Sequence, residues 1–169
     1  MPSRPLLRSP RLRYRELADD DLGDFHALVL DEHIRRYLMD GEVVDRGWCR
    51  DAIAVSTALF TDRGVGLWLI SEPTAEAAIG FCGFHVFPDI EPEPQLLYAL
   101  LESVTGRGYA TEAAKACMEY ARSHAGFGEI RAGVDEPNQA SMRVLEKLGF
   151  APCGDLPGVF GRTLLFRHS

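Results

Sequence analysis

Residues 95–116, QLLYALLESVTGRGYATEAAKA, determine how the rest of this sequence is interpreted. The apolar run at 95–101 predicts a strand, the glycines beyond it predict a turn, and the alanine-rich residues from Thr111 to about Ala125 predict a helix. Because Gly106 and Gly108 lack a Cβ atom, the backbone there can direct several N–H groups toward one point. The first turn of the helix adds unpaired N–H groups and the positive end of the helix dipole. This order of elements predicts an anion-binding site.

The remaining pattern predicts one domain of the α/β (α+β) class over residues 1–169, with residues 1–10 as a flexible N-terminal arm rich in arginine and proline. We expect a mixed, mostly antiparallel sheet with helices on both faces. The predicted strands are 12–17, 66–70, 78–87, 95–101, 129–134, a segment near 150 and 162–167. The predicted helices are 21–37, as one helix or as a helix with a second short turn, 45–60, 111–125 and 138–148. Residues 88–94 are predicted to form an acidic loop.

Composition limits the class of function. With 46% hydrophobic and 25% charged residues, the chain has the composition of a globular protein. A formal net charge of -7 argues against a nucleic-acid partner. The four cysteines form no C-x-x-C pair, which favours reduced thiols in a cytoplasmic protein without a metal site. No apolar run is long enough to suggest a membrane partner. A homodimer is possible, with the strand at 163–166 pairing across subunits.

The glycine turn by itself permits several ligands. It lacks the G-x-x-x-x-G-K-[ST] of a phosphate loop and the full G-x-G-x-x-G of a dinucleotide fold. Another nucleotide-phosphate binder using this turn remains an alternative. Further along, Ser141 shares a helical face with Val144 and Leu145, so its hydroxyl either points inward or bonds back to its own helix. Asn138, which follows Pro137, suits a helix N-cap.

Several stretches, taken in order, resemble one known family. The run from Gly106 to Ala113 is similar to the acetyl-CoA pyrophosphate loop of GNAT-type N-acetyltransferases. The similarity extends to residues 79–84, 138–141 and 143–150. Together with residues 34–38, they most resemble the Rim (ribosomal-protein N-terminal acetyltransferase) subgroup, whose members acetylate protein N-termini or small amines. The resemblance spans nearly the whole chain and implies a GNAT-like fold and acetyl-CoA as co-substrate, with no metal.

The resemblance also implies a set of residues that bind acetyl-CoA. The pyrophosphate would lie on the N–H groups of residues 107–111, and the pantetheine beside the main chain of 100–101. Asn138 would contact the pantetheine, and Ser141 would lie near the sulfur, where a hydroxyl can protonate the leaving thiolate. The full set is Leu100, Leu101, Gly106, Arg107, Gly108, Tyr109, Ala110, Thr111, Asn138 and Ser141.

The reaction implied is direct attack of a neutral primary amine, from a small molecule or a protein N-terminus, on the thioester. The amine must lose a proton, yet Leu97 stands where the Rim pattern often has a glutamate. The nearby candidates for the base are Glu91, Glu93, Glu102 and His85. A backbone carbonyl of a strand, an ordered water molecule or an amine that arrives partly deprotonated are the alternatives.

The expected catalytic residues are therefore Ser141, Glu93 and Glu102. The expected substrate residues are Tyr37, Trp48, Trp68, His85 and Tyr98. Leu97 also motivates an alternative, a catalytically weak acyl-CoA-binding or regulatory module of the same fold, against which Ser141 argues.

Overall fold

A computed structural model describes residues 3–169, which form an α/β domain. Two short 3₁₀ helices, Asp19–Asp21 and Glu102–Val104, accompany the main elements. The strands are β1 (Arg13–Glu16), β2 (Leu67–Ser71), β3 (Ala78–Phe87), β4 (Glu91–Leu100), β5 (Ile130–Asp135), β6 (Ala151–Gly158) and β7 (Gly161–His168). The α-helices are α1 (Leu22–Leu30), α2 (Glu32–Leu38), α3 (Arg46–Arg63), α4 (Tyr109–Ala125) and α5 (Gln139–Lys147).

The strands divide into two antiparallel sheets. One has the order β1-β2-β3-β4 and the other the order β5-β7-β6. The predicted α/β class and its largely antiparallel pairing are confirmed, although the strands do not form one continuous sheet. Strand β7 pairs with β5 on one side and β6 on the other. The expectation that residues 163–166 pair across subunits is therefore wrong, because both edges of this strand are already occupied.

The two sheets meet where β4 and β5 begin. Arg131 Nη1 donates a hydrogen bond of 2.7 Å to Glu91 Oε1. A Cβ atom added at Gly133 would lie 3.5 Å from Gln95 Oε1. The earlier residue of β4 contacts the earlier residue of β5, and the later residue contacts the later one. The two strands therefore start side by side and run parallel. They are not hydrogen-bonded into one sheet, and a cavity lies between them.

Hydrophobic residues cover both faces of the first sheet. Along β3, Phe81 packs in a cluster with Phe25 and Ile53 from α1 and α3. Its neighbour Cys82 belongs to a second cluster, with α4 residues such as Tyr120. This alternation buries the two sides of the strand under different helices, and it confirms the prediction of helices on both faces.

Strand β4 begins earlier than the sequence predicts. The prediction of a loop through residue 94 is wrong, because pairing with β3 resumes at Glu91, opposite Phe87. Pro92 and Pro94 have no N–H to donate, and they fit here because β4 is an edge strand of its sheet with a register shift at this point. The prolines and acidic residues of this segment do mark an irregular structure, but it is the irregular start of an edge strand.

The N-terminal arm lies against the domain. Leu7 is buried in the α4-side cluster. Arg4 forms an ion pair of 2.8 Å with Glu16, and its guanidinium carbon lies 5.1 Å from the centroid of the Phe60 ring. Residues 1–2 lie outside the described part of the chain, and the flexibility of the arm remains a prediction. Between residues 3 and 169, no helix is long and apolar enough to cross a membrane.

We predict that Leu145→Ala lowers the free energy of unfolding by about 2–5 kcal/mol, because the side chain is fully buried and its loss leaves a cavity under α5. Leu6→Ala is the control, since Leu6 is 73% exposed, and we expect a change within about 0.5 kcal/mol. Urea unfolding followed by tryptophan fluorescence measures both. Equal losses in the two variants would contradict this description of the core.

Candidate functional site

A cavity of about 1030 Å³ lies between the two sheets. One end is lined by the turn before α4 and by the first residues of that helix. The middle is lined by β4, the end of β5 and the start of α5. The other end is lined by α2, the start of α3, the end of β3 and the turn between β6 and β7. Its size suits an elongated ligand together with a second, smaller one.

The turn before α4 has the backbone that the glycines allow. Gly106 and Gly108 both have φ of +79°, in the left-handed region that favours glycine. Helix α4 begins directly at Tyr109, and no side chain caps its first turn. The N–H groups of this turn are therefore free to bind an anion. Gly106, Gly108, Tyr109, Ala110 and Thr111 all line the cavity.

Leu101 and Arg107, which were expected to bind the cofactor, do not line the cavity, whereas Leu100 does. Leu101 packs between the two hydrophobic clusters. Arg107 is exposed, and its guanidinium lies 3.8 Å from Glu72 Oε2. Gly106 and Gly108, on either side of Arg107, line the cavity, whereas the Arg107 side chain points toward Glu72.

A hydrogen bond inside the cavity joins β4 of the first sheet to helix α5. Tyr98 Oη on β4 lies 2.8 Å from Ser141 Oγ on α5, and also 3.1 Å from the carbonyl oxygen of Ser141. Burial raises the pKa of Tyr98, and the hydrogen bond with Ser141 only partly opposes this effect. The phenol is therefore protonated at neutral pH. Of the two orientations open to Ser141, the structure shows the one directed away from its own helix.

Asn138 forms the helix cap that its position suggests. Its Oδ1 accepts a hydrogen bond of 3.2 Å from the Ser141 N–H, which fixes the first turn of α5. Asn138 also lines the cavity. The cap thus holds Ser141 in place, and contact with pantetheine remains a prediction.

Most of the expected substrate residues come together at the cavity. Tyr37, Trp48, His85 and Tyr98 line it. Trp68 does not, because it is 3% exposed and packs in the core against Phe60 and Tyr120, with ring centroids 4.9 and 5.2 Å away. The sequence cannot distinguish these cases, since a tryptophan in a central strand suits a core as well as a binding site.

The expected carboxylates lie away from the cavity. Glu93 is exposed and accepts a hydrogen bond of 3.0 Å from Arg63. Glu102 is exposed on a 3₁₀ helix and does not line the cavity. Glu91 is held by Arg131. Of the four candidate bases, His85 alone lines the cavity.

A buried glutamine that was not predicted as a site residue lies opposite His85. This residue is Gln95 on β4, which is 2% exposed. His85 Nδ1 and Gln95 Nε2 are buried and have no hydrogen-bond partner within residues 3–169. Burial lowers the pKa of His85, so its imidazole is neutral at pH 7. A polar residue at a core position of a predicted strand was the available signal for Gln95.

Three aspartates, Asp40, Asp89 and Asp135, also line the cavity. Burial raises the pKa of Asp135, a hydrogen bond from Thr163 opposes this effect, and the negative charge of Asp40 adds to it. Asp40 follows α2 and Asp135 ends β5, so they approach from different walls. A positively charged ligand between them would relieve their repulsion.

The comparisons agree on one family. A family model described as an acetyltransferase (GNAT) domain matches residues 11–151. YoaA of Bacillus subtilis, described as an uncharacterized N-acetyltransferase, is 27% identical over 154 residues, which cover 90% of this chain and 86% of YoaA. An acetyltransferase from Agrobacterium tumefaciens has a TM-score of 0.82 at 25% identity, covering 100% of this chain and 96% of the other. RimL, a ribosomal-protein alpha-N-acetyltransferase in complex with coenzyme A, has a TM-score of 0.80 at 19% identity over 97% of each chain, which shows a shared fold.

Proposed function

The chain belongs to the GNAT acetyltransferase family and is an acetyl-CoA-dependent N-acetyltransferase, and we propose that its reaction takes place in the cavity between the two sheets. One observation carries this assignment. A single cavity connects the uncapped N terminus of α4 with the hydrogen-bonded pair Tyr98 and Ser141. Acyl transfer from an acyl-CoA needs an anion site for the pyrophosphate and a proton donor for the leaving thiolate, and this cavity offers the first at one end and the second in its middle.

Acetyl-CoA enters from the α4 end in this proposal. Its pyrophosphate accepts hydrogen bonds from the N–H groups of residues 108–111, where the helix dipole also favours a negative charge. Its pantetheine passes Leu100 and Asn138, both of which line the cavity. The thioester then lies near Tyr98 and Ser141. Support for Leu101 and for the side chain of Arg107 is weaker, because neither lines the cavity.

The chemistry follows from the groups around the thioester. A neutral amine attacks the carbonyl carbon, the new C–N bond forms and the C–S bond breaks. The Ser141 hydroxyl, polarised by its hydrogen bond to Tyr98, donates a proton to the leaving thiolate. The base that accepts the amine proton returns a proton to Ser141 through solvent, so that overall one proton moves from the amine to the sulfur and no further co-reactant is needed.

His85 takes the place of the missing carboxylate. Leu97, which lines the cavity, has no proton acceptor. His85 lies opposite Gln95, and Gln95 is two residues before Leu97 on β4. Residues two positions apart on a strand project from the same face, so His85 and Leu97 lie on the same face of the sheet. Because burial lowers the pKa of His85, its neutral imidazole accepts the amine proton, directly or through one water molecule.

The acceptor enters from the end of the cavity lined by Tyr37 and Trp48. The aromatic surface there suits an apolar group next to the amine, and Asp40 and Asp135 attract the protonated amine before it reacts. A protein N-terminus or a small-molecule amine meets both conditions. A cytoplasmic location and a homodimer remain predictions.

The central test measures thiol release from acetyl-CoA with a panel of N-terminal peptides and small amines. We expect wild type to acetylate at least one of them, and Ser141→Ala to lower kcat by about 10²-fold while coenzyme A binding is kept. Tyr98→Phe, which removes only the phenol hydroxyl, should give a smaller loss. Wild-type binding of acetyl-CoA without thiol release from any acceptor would overturn the proposed reaction.

A second prediction separates the role of the glycine turn from its backbone strain. Gly106→Ala places a Cβ in open space at φ of +79°, which costs about 1–2 kcal/mol in stability. Gly126→Ala is a matched control, because Gly126 has φ of +70° and equally open space at the other end of α4. Both variants should lose similar stability in thermal unfolding. Weaker coenzyme A binding by calorimetry should appear in Gly106→Ala alone, and equal binding would contradict the pyrophosphate assignment.

A third prediction concerns pH. Because burial lowers the pKa of His85 below its ordinary value of 6.5, the neutral imidazole predominates at pH 6.5 and above, and kcat should fall as the pH decreases through the lowered pKa. His85→Gln should lower kcat by about 10²-fold and remove this acidic limb. The measurement is kcat at saturating substrates from pH 5 to 8. An unchanged acidic limb in the variant would exclude His85 as the base.

A further inference from the structure

The segment just before β1 holds the turn before α4, although the two are about a hundred residues apart in the chain. Glu112 in the first turn of α4 accepts three hydrogen bonds from this segment. They come from Ser9 Oγ at 2.8 Å, from the Arg11 main-chain N–H at 2.8 Å and from Arg11 Nε at 2.7 Å. These atoms occupy both carboxylate oxygens of Glu112.

Arg11 also contacts the turn itself. Its Nη1 donates a hydrogen bond of 2.8 Å to the carbonyl oxygen of Arg107, and its guanidinium carbon lies 4.8 Å from the centroid of the Tyr109 ring. A Cβ atom added at Gly108 would lie 3.3 Å from Arg11 Nη2. One side chain thus touches three consecutive residues of the turn and the helix that follows.

The geometry of the peptide bond links this contact to the site. In a trans peptide the carbonyl of one residue and the N–H of the next point in opposite directions. Because Arg11 holds the Arg107 carbonyl, it also fixes the direction of the Gly108 N–H, and Gly108 lines the cavity whereas Arg11 does not. Rotation of the Arg107–Gly108 peptide changes ψ of Arg107 and φ of Gly108, and Gly108 has no Cβ atom to restrict its φ.

Glu112 anchors the guanidinium. Burial opposes ionisation of its carboxyl group, but the hydrogen bonds from Arg11 and Ser9 outweigh this and lower the pKa of Glu112. Arg11 also neutralises a carboxylate that would otherwise repel an anion at the start of α4. On either side of the contact, Leu7 and Leu12 are buried in the core, so the segment between them is held in register.

We propose that Arg11 is a positioning residue for acetyl-CoA, which orients the Arg107–Gly108 peptide, and that Glu112 holds it in place. This inference rests on the proposed function, in which the turn binds the pyrophosphate. Arg11 acts through the backbone and does not touch the substrate. Its effect should therefore be confined to donors that carry a pyrophosphate.

The test compares acetyl-CoA with S-acetylpantetheine, a donor that lacks the pyrophosphate. For Arg11→Gln we expect KM for acetyl-CoA to rise about tenfold, with kcat at saturation within about twofold of wild type and kcat/KM for S-acetylpantetheine unchanged. Arg4→Gln is the matched control, since Arg4 is also an N-terminal arginine that pairs with a carboxylate and lies over an aromatic ring, away from the turn. It should leave KM for both donors unchanged.

A second variant distinguishes positioning from simple charge attraction. Arg11→Lys keeps the positive charge but has no second nitrogen with which to bond Glu112 and the Arg107 carbonyl together. We expect it to raise KM for acetyl-CoA nearly as much as Arg11→Gln does. A KM equal to wild type in Arg11→Lys, or equal losses with the two donors in Arg11→Gln, would overturn the positioning role. Failure of wild type to bind coenzyme A would instead overturn the proposed function.

Discussion

The separation of β4 from β5 is the constraint on which the rest of the structure depends. The two strands start side by side, and yet they belong to different sheets. Backbone N–H and C=O groups along such facing edges need partners, because an unpaired buried polar group is costly. Pantetheine, with two amide groups along its chain, is chemically suited to satisfy them. The gap therefore explains why a cavity exists, and in the proposed function it receives the elongated, amide-containing donor.

The sequence predicts those features that depend on local backbone chemistry. The glycines at 106 and 108 require a turn with positive φ, and the alanine-rich segment after them requires a close-packed helix, so the turn and the helix are correctly predicted. The inward direction of the Ser141 hydroxyl is correctly predicted for a similar reason, since helical spacing fixes it relative to Leu145, and the catalytic role of Ser141 stays a prediction. Near Glu91, local signals were misleading, because proline and acidic residues suit both a loop and an irregular edge strand.

Other parts of the site depend on contacts that sequence spacing does not reveal. Trp68 lies in the core because α4 brings Tyr120 over it. Glu93 turns away because Arg63, thirty residues earlier, binds it. His85 and Gln95 become a pair only through the register of β3 on β4, which a shift at His85 and Phe87 makes hard to predict. Which of these side chains line the cavity therefore depends on strand pairing and tertiary contacts more than on sequence motifs.

The contact between Arg11 and Glu112 shows how a weak interaction in stability terms can matter for function. The Arg11 side chain is about half exposed, and such ion pairs typically stabilise a fold by only about 0–1 kcal/mol. Its significance is geometric, because the same guanidinium also bonds the Arg107 carbonyl and packs on Tyr109. Because residues 106 and 108 have no side chain, the N–H groups of the turn can approach an anion closely, but the conformation of its backbone is not fixed by the turn itself. In our proposal Arg11, which lies outside the glycine motif, fixes this conformation. The motif alone therefore does not describe the site.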